Sequence, residues 1–113
     1  MHEYSIVEAL VERVAAEARA RGATAVHRLW VRIGELSGVE VDLLTTAYET
    51  FRERTICEGA VLDVQRVPAR WECPDCGTAI RPGELLRCRH CDVPARLTEG
   101  DEIMLDRIEM EVR

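Results

Sequence analysis

Between residues 6 and 21 the apolar positions recur at helical spacing. Ile6, Val7, Leu10, Val11, Val14, Ala15 and Ala18 form one face, and Glu8, Glu12, Arg13, Glu17 and Arg19 form the other, which predicts an amphipathic helix. Ser5 followed three residues later by Glu8 reads as a capping box and places the N-cap at Ser5. Gly22 stands where a helix end favours positive φ. The period then drops to two: in residues 26–34, VHRLWVRIG, Leu29, Val31 and Ile33 share one face and Arg28, Trp30 and Arg32 the other. This predicts a half-buried strand, with His27 a strand residue rather than a general base. A second helix is expected over residues 41–54, with Leu43, Leu44, Ala47, Tyr48 and Phe51 as its apolar stripe. Strands follow at 60–67, ended by Pro68, and at 103–112, where Met104, Ile108, Met110 and Val112 share a face interrupted by Asp106.

The last two strands flank a segment with neither period, so residues 68–101 read as an excursion from a small sheet. The expected fold class is α+β: a two-layer domain of two helices on a three-stranded sheet, residues 1–67 plus 102–113, with a small inserted domain at 68–101.

That segment holds four of the five cysteines, in WECPDCGTAIRPGELLRCRHCD. Cys73 and Cys76 form one C-x2-C pair, and Cys88 and Cys91 form a second after eleven intervening residues. Each pair can offer two thiolates from a tight turn, in which Pro74 fixes φ and Gly77 permits positive φ. Four thiolates complete a closed tetrahedral shell, the arrangement of structural Zn(II), with no open position for catalysis. Clustering of this kind points to metal rather than disulfides. His90, between the last two cysteines, reads as a solvent-facing loop residue, and Cys57, outside the cluster, as a small buried apolar one.

Composition narrows the partners. With 47% apolar and 32% charged residues the chain is of ordinary globular kind, and no stretch approaches a membrane span, so a cytoplasmic protein is expected. A net charge of −6 argues against a general grip on nucleic acid, and residues 68–99 balance five arginines with five acids. No nucleophile–base pair or phosphate loop suggests an enzyme.

The first residues, MHE, offer another chemistry. Met1 is expected to be retained, because aminopeptidases that remove methionine need a small second residue and His2 is bulky. The α-amine, the His2 amide nitrogen and the His2 imidazole can close adjacent chelate rings, with the Glu3 amide in reach of a fourth position. Nitrogen donors in one plane favour Ni(II) or Cu(II).

MHEYS at the start, IGELSGVE, TAYETFRE and the two C-x2-C pairs ahead of a C-terminal strand together resemble the HypA/HybF family of nickel-incorporation proteins of [NiFe]-hydrogenase maturation. The resemblance spans essentially the whole chain. It implies a nickel metallochaperone, not an enzyme, with transported Ni(II) at Met1, His2 and Glu3 and structural Zn(II) at Cys73, Cys76, Cys88 and Cys91. It also implies work with a HypB-type GTPase and delivery to the hydrogenase large-subunit precursor, with urease a recipient in some members. A monomer or weak homodimer is expected, with Glu40 a further acid near the nickel end. The competing reading is a zinc-ribbon interaction adaptor without nickel transfer.

Overall fold

The computed structural model describes residues 2–113, apart from the side chain of His2. Helix α1 spans His2–Ala20 and buries Val7, Val11, Val14 and Ala18, a stripe one residue in three or four. It ends as the pattern requires, with Gly22 at φ +65°. Its start differs from the expectation: Ser5 lies inside the first turns, so the Ser5–Glu8 capping box is not the helix boundary. Tertiary contacts carry the helix further back than the local signal. Tyr4 packs edge-on against Phe51, with ring centroids 5.3 Å apart, and the Glu3 carboxylate accepts a hydrogen bond from the Glu40 amide at 3.3 Å.

Strand β1, Ala23–Gly34, is the middle strand of the first sheet, and it buries Val26, Leu29, Val31 and Ile33. A register shift between Val26 and Arg28 moves the buried parity from even to odd. Helix α2, Val41–Phe51, is shorter than expected at its C-terminal end. Arg54 has φ +64°, outside helical space. Leu44 and Tyr48 are buried, whereas Leu43 is exposed rather than part of the stripe. The turn after α2 is closed by Tyr48, whose hydroxyl donates to the Ala60 carbonyl at 2.9 Å. The Arg52 guanidinium donates to the same oxygen at 2.7 Å. Cys57 is fully buried in this turn.

Strand β2, Val61–Val67, runs parallel to β1, so β1, α2 and β2 make a crossover unit. Three short strands follow, β3 (Arg70–Glu72), β4 (Ala79–Ile80) and β5 (Arg96–Glu99), which form a separate sheet in the order β4–β3–β5. The chain then returns as β6, Ile103–Val112, antiparallel to β1, and completes the first sheet in the order β2–β1–β6. The expected face of β6 holds at Ile108 and Met110 and is corrected at Met104 and Val112. A register shift sets Leu105 against Val31 but Arg107 against Trp30, leaving Asp106 as the extra residue of a bulge. Leu105, Ile108 and Met110 therefore pack on the core, while Met104 and Val112 are exposed.

The two sheets meet at a close backbone crossing. The amides of Gly34 and Leu36 donate to the carbonyls of Glu102 and Gly100 at 2.8 and 2.7 Å, and the Ala69 amide donates to the Glu35 carboxylate at 2.8 Å. Gly100 has φ +104°, and a Cβ there would lie 2.5 Å from the Ala69 Cα. A side chain at this position is excluded twice, by conformation and by space. Gly100→Ala is therefore expected to lower stability by about 2–4 kcal/mol in denaturant unfolding while leaving the cysteine side chains in place. A variant as stable as the parent would contradict the crossing.

Candidate metal centres

The second sheet has little core of its own, and two turns sit at its end. In the first, β3 delivers Cys73, whose amide donates to the Thr78 carbonyl at 2.9 Å while the Gly77 amide returns to the Cys73 carbonyl at 2.9 Å. In the second, the Cys88 amide donates to the Val93 carbonyl at 3.0 Å and the Asp92 amide to the Cys88 carbonyl at 3.0 Å. The two turns thus share one hydrogen-bond scheme, counted from their first cysteine. In each, the amide of the second cysteine donates to the sulfur of the first at 3.4 Å, and the Asp75 amide adds another such bond to Cys73. Donors aimed at a sulfur favour its thiolate form.

Each scheme demands a left-handed residue just after the second cysteine. Gly77 fills it at φ +77°, as its sequence position suggests, but the second turn uses Asp92 at φ +53°. Arg87 holds this uncommon conformation. Its Nε donates to the Asp92 carboxylate at 2.8 Å and its Nη2 to the Asp92 carbonyl at 2.7 Å. The hydrogen bond and charge of Arg87 also keep the Asp92 carboxyl below its usual range. Sequence reasoning missed this pair. The available signal was the matched offset of Gly77 and Asp92 behind their cysteines.

The two turns bring Cys73, Cys76, Cys88 and Cys91 together with all four Sγ atoms within 4.8 Å of one another. Bonds of about 2.3 Å to one tetrahedral ion would set sulfurs about 3.8 Å apart. The Cys76 and Cys88 sulfurs are 3.7 Å apart. Cys73 and Cys88 are buried, Cys91 half-buried and Cys76 exposed. The thiols differ in acidity. Hydrogen bonding to the Thr78 side chain and backbone, with Cys73 adding, pushes the Cys76 thiol down to about 6. The crowding of Cys76 and Cys73 pushes Cys91 up to about 12. A divalent cation resolves this crowding by accepting four thiolates, so the donor set fits structural zinc. His90 is exposed and outside the cluster, and Cys57 is remote in the α2–β2 turn. His27 meets Glu111 across the strands at 3.2 Å, as a sheet residue.

Met1 and the side chain of His2 lie outside the described residues. Of the expected nickel ligands, Glu3 is described, in the first turn of α1. Its contact with the Glu40 amide joins the start of α1 to the start of α2, whose N-cap is Glu40 in an extended conformation. Among the described residues no helix is long and apolar enough to cross a membrane.

The whole chain has known relatives. The family described as "Hydrogenase/urease nickel incorporation, metallochaperone, hypA" matches residues 1–110. The hydrogenase maturation factor HypA of Shewanella halifaxensis is 41% identical over 113 residues, covering 98% of each chain. That of Nitrosospira multiformis is 38% identical over 112 residues, 97% of each chain. Two solution structures share the fold. The Ni metallochaperone HypA from Helicobacter pylori has a TM-score of 0.74 at 33% identity, covering 98% of each chain. A second, titled a HypA protein, reaches 0.82 at 34% identity, covering 100% of this chain and 98% of its own.

Proposed function

Because the chain belongs to the HypA family of nickel metallochaperones for hydrogenase maturation, we propose that it carries its Ni(II) cargo at Met1, His2 and Glu3. Cys73, Cys76, Cys88 and Cys91 hold structural zinc in the same reading. Residues 1–67 with 102–113 act as the nickel-binding domain and 68–101 as the zinc-binding one. The carrier works in the cytoplasm, takes or passes nickel with a HypB-type GTPase, and delivers it to the hydrogenase large-subunit precursor. It does so by ligand exchange, without covalent catalysis. Urease, named beside hydrogenase in the family description, is a second recipient class.

The observation that supports the terminal site is that α1 is helical from its second residue and is tied to α2 through Glu3 and Glu40. Glu3 and Tyr4 hold the start of α1 against the body of the protein, beside the proposed donors in sequence. The first turn of any α-helix also presents amides that have no acceptor within the helix, so recruiting amide nitrogens there breaks little helical bonding. A helix N-terminus repels cations. Deprotonated amides cancel the charge of the ion and remove that objection. Glu40, exposed beside Glu3, is a further carboxylate at this end.

This chemistry has a pH signature. The amine, the imidazole and the amides must all shed protons, so nickel affinity rises with pH. Calorimetry of the zinc-loaded protein with a native N-terminus is expected to give one nickel per chain. Affinity should climb between about pH 6 and about pH 8, the range of the imidazole and α-amine. Proton release should be measurable by comparing buffers of different ionisation enthalpy. An affinity flat across that range would contradict a nitrogen-donor site.

A further inference from the structure

The four sulfurs of the cysteine cluster share one space but not one exposure. Cys73 and Cys88 are buried, Cys91 is half-buried and Cys76 is exposed. Cys76 stands in the turn of residues 74–79, every one of which is exposed. Its sulfur lies 3.0 Å from the hydroxyl of exposed Thr78 and 3.7 Å from the sulfur of buried Cys88. A sulfur open to water thus touches a sulfur closed to it.

The thiolate, not the thiol, attacks electrophiles, and a coordinating thiol is deprotonated by its cation. In the zinc-loaded protein Cys76 is therefore an accessible nucleophile at neutral pH. Cys57 is the contrast within the same chain. It is fully buried and outside the cluster, and burial pushes its thiol up, so it stays protonated and shielded.

We propose that Cys76 is an oxidative modification site at which a hydroperoxide discharges the zinc centre, with Cys88 as the resolving cysteine. The Cys76 thiolate attacks one peroxide oxygen. An S–O bond forms, the O–O bond breaks and hydroxide leaves, giving the sulfenic acid. The Cys88 thiolate then attacks the Cys76 sulfur, forming the disulfide and expelling a second hydroxide. Two electrons pass from the two sulfurs to one molecule of hydrogen peroxide. Cys88 suits the second step alone, because burial keeps peroxide from it while its sulfur touches the one that peroxide meets. Cys73 is the competing partner within the turn. Its sulfur is tied by the amides of Asp75 and Cys76 at 3.4 Å, whereas Cys88 is tied by that of Cys91 alone.

The disulfide spends two of the four donors, and Cys73 with Cys91 does not complete the shell that structural zinc requires. Strands of two to four residues then lose the metal that supports them, while the new bond keeps the two turns joined across eleven residues. A thiol reductant reverses the bond, so zinc can return. This rests on the four cysteines holding zinc, and is independent of where nickel sits.

The test starts from protein whose zinc content has been measured by native mass spectrometry. Hydrogen peroxide is added, and release is followed with a colorimetric zinc indicator. One zinc per chain should be released, and the chain should lose two hydrogen atoms relative to its reduced form. Peptide mapping should place the disulfide between Cys76 and Cys88, with Cys57 still a free thiol. Reductant and added zinc should restore the starting protein. A limiting maleimide should label Cys76 first in the zinc-loaded protein, at least about tenfold ahead of Cys57. Thr78→Val leaves all four cysteines in place but takes the hydroxyl from the Cys76 sulfur. It should speed zinc release by about threefold, since a thiolate relieved of a hydrogen-bond donor is the stronger nucleophile. Thr78→Ser keeps the hydroxyl and should match the parent. Retention of zinc under peroxide that oxidises free cysteine overturns the proposal. So does zinc loss with Cys76 unmodified, a disulfide that omits Cys76 or Cys88, or a Thr78→Val protein no faster than the parent. Mapping in the parent protein decides the matter whatever the fold of the variants. A chain that holds no zinc before oxidation contradicts the zinc assignment itself, and this proposal with it.

Discussion

Replacing Cys73 by serine is expected to abolish stoichiometric zinc binding and to unfold residues 68–101, while the first sheet keeps its structure. The asymmetry follows from where the apolar side chains are. The main core is assembled from α1, β1, α2 and the turn before β2. In the cysteine segment Trp71, Ile80 and Leu97 are only half-buried, and Leu85 is 79% exposed. The buried side chains there are those of Cys73 and Cys88. A sheet of strands two to four residues long cannot fold on so little burial. Metal binding must contribute most of its stability, on the order of 10 kcal/mol in small zinc domains. Cys73 is the harshest position, because its sulfur also receives the amides of Asp75 and Cys76. Zinc content by mass spectrometry and amide exchange read the two halves separately. Protection should vanish in β3, β4 and β5 and persist in β1. Full zinc content in the variant would refute the tetrathiolate assignment. A strong chelator should reproduce the loss in the parent protein.

What could be read from the amino-acid order divides along physical lines. Elements with a clean period were legible. The odd-numbered face of β1 is buried as expected, and β6 has the boundaries expected of the last strand. The four cysteines were legible because two equal spacings state a donor set outright. Features set by distant contacts were not. The start of α1 is carried past the Ser5–Glu8 signal by Tyr4 on Phe51 and Glu3 on Glu40, residues far apart in sequence. The bulge at Asp106 exchanges the faces of β6, and a one-residue slip of that kind leaves no mark in composition. Gly34 and Gly100 read as ordinary loop glycines until their backbones are seen to cross. Asp92 in a glycine conformation is intelligible only beside Arg87.

The second large effect is expected at the other end of the chain. His2→Ala removes the imidazole, the one side-chain nitrogen in the proposed nickel set, and with it a chelate ring. An amine and backbone amides alone must then deprotonate at neutral pH without an anchoring donor. Affinity should fall by at least about a hundredfold, the scale of losing a ligand rather than a supporting contact. Zinc content, the amide exchange of β1 and the melting temperature should not change. Among the described residues the core begins at Ile6, and the cysteine cluster is that of Cys73, Cys76, Cys88 and Cys91. Nickel and zinc defects should therefore separate cleanly, with Cys73→Ser losing zinc and His2→Ala losing nickel. A His2→Ala protein that lost zinc as well would mean that the two centres are not independent.

The central claim is that the end of the chain is itself the ligand, and blocking only the α-amine tests it most directly. Protein acetylated at Met1 keeps every side chain, including His2, Glu3 and Glu40. Calorimetric nickel titration of acetylated and free-amine protein, both zinc-loaded, should give one tight site in the free-amine form and none in the acetylated form. Equal affinity and stoichiometry in the two would contradict a terminal nickel site and move the cargo elsewhere in the chain.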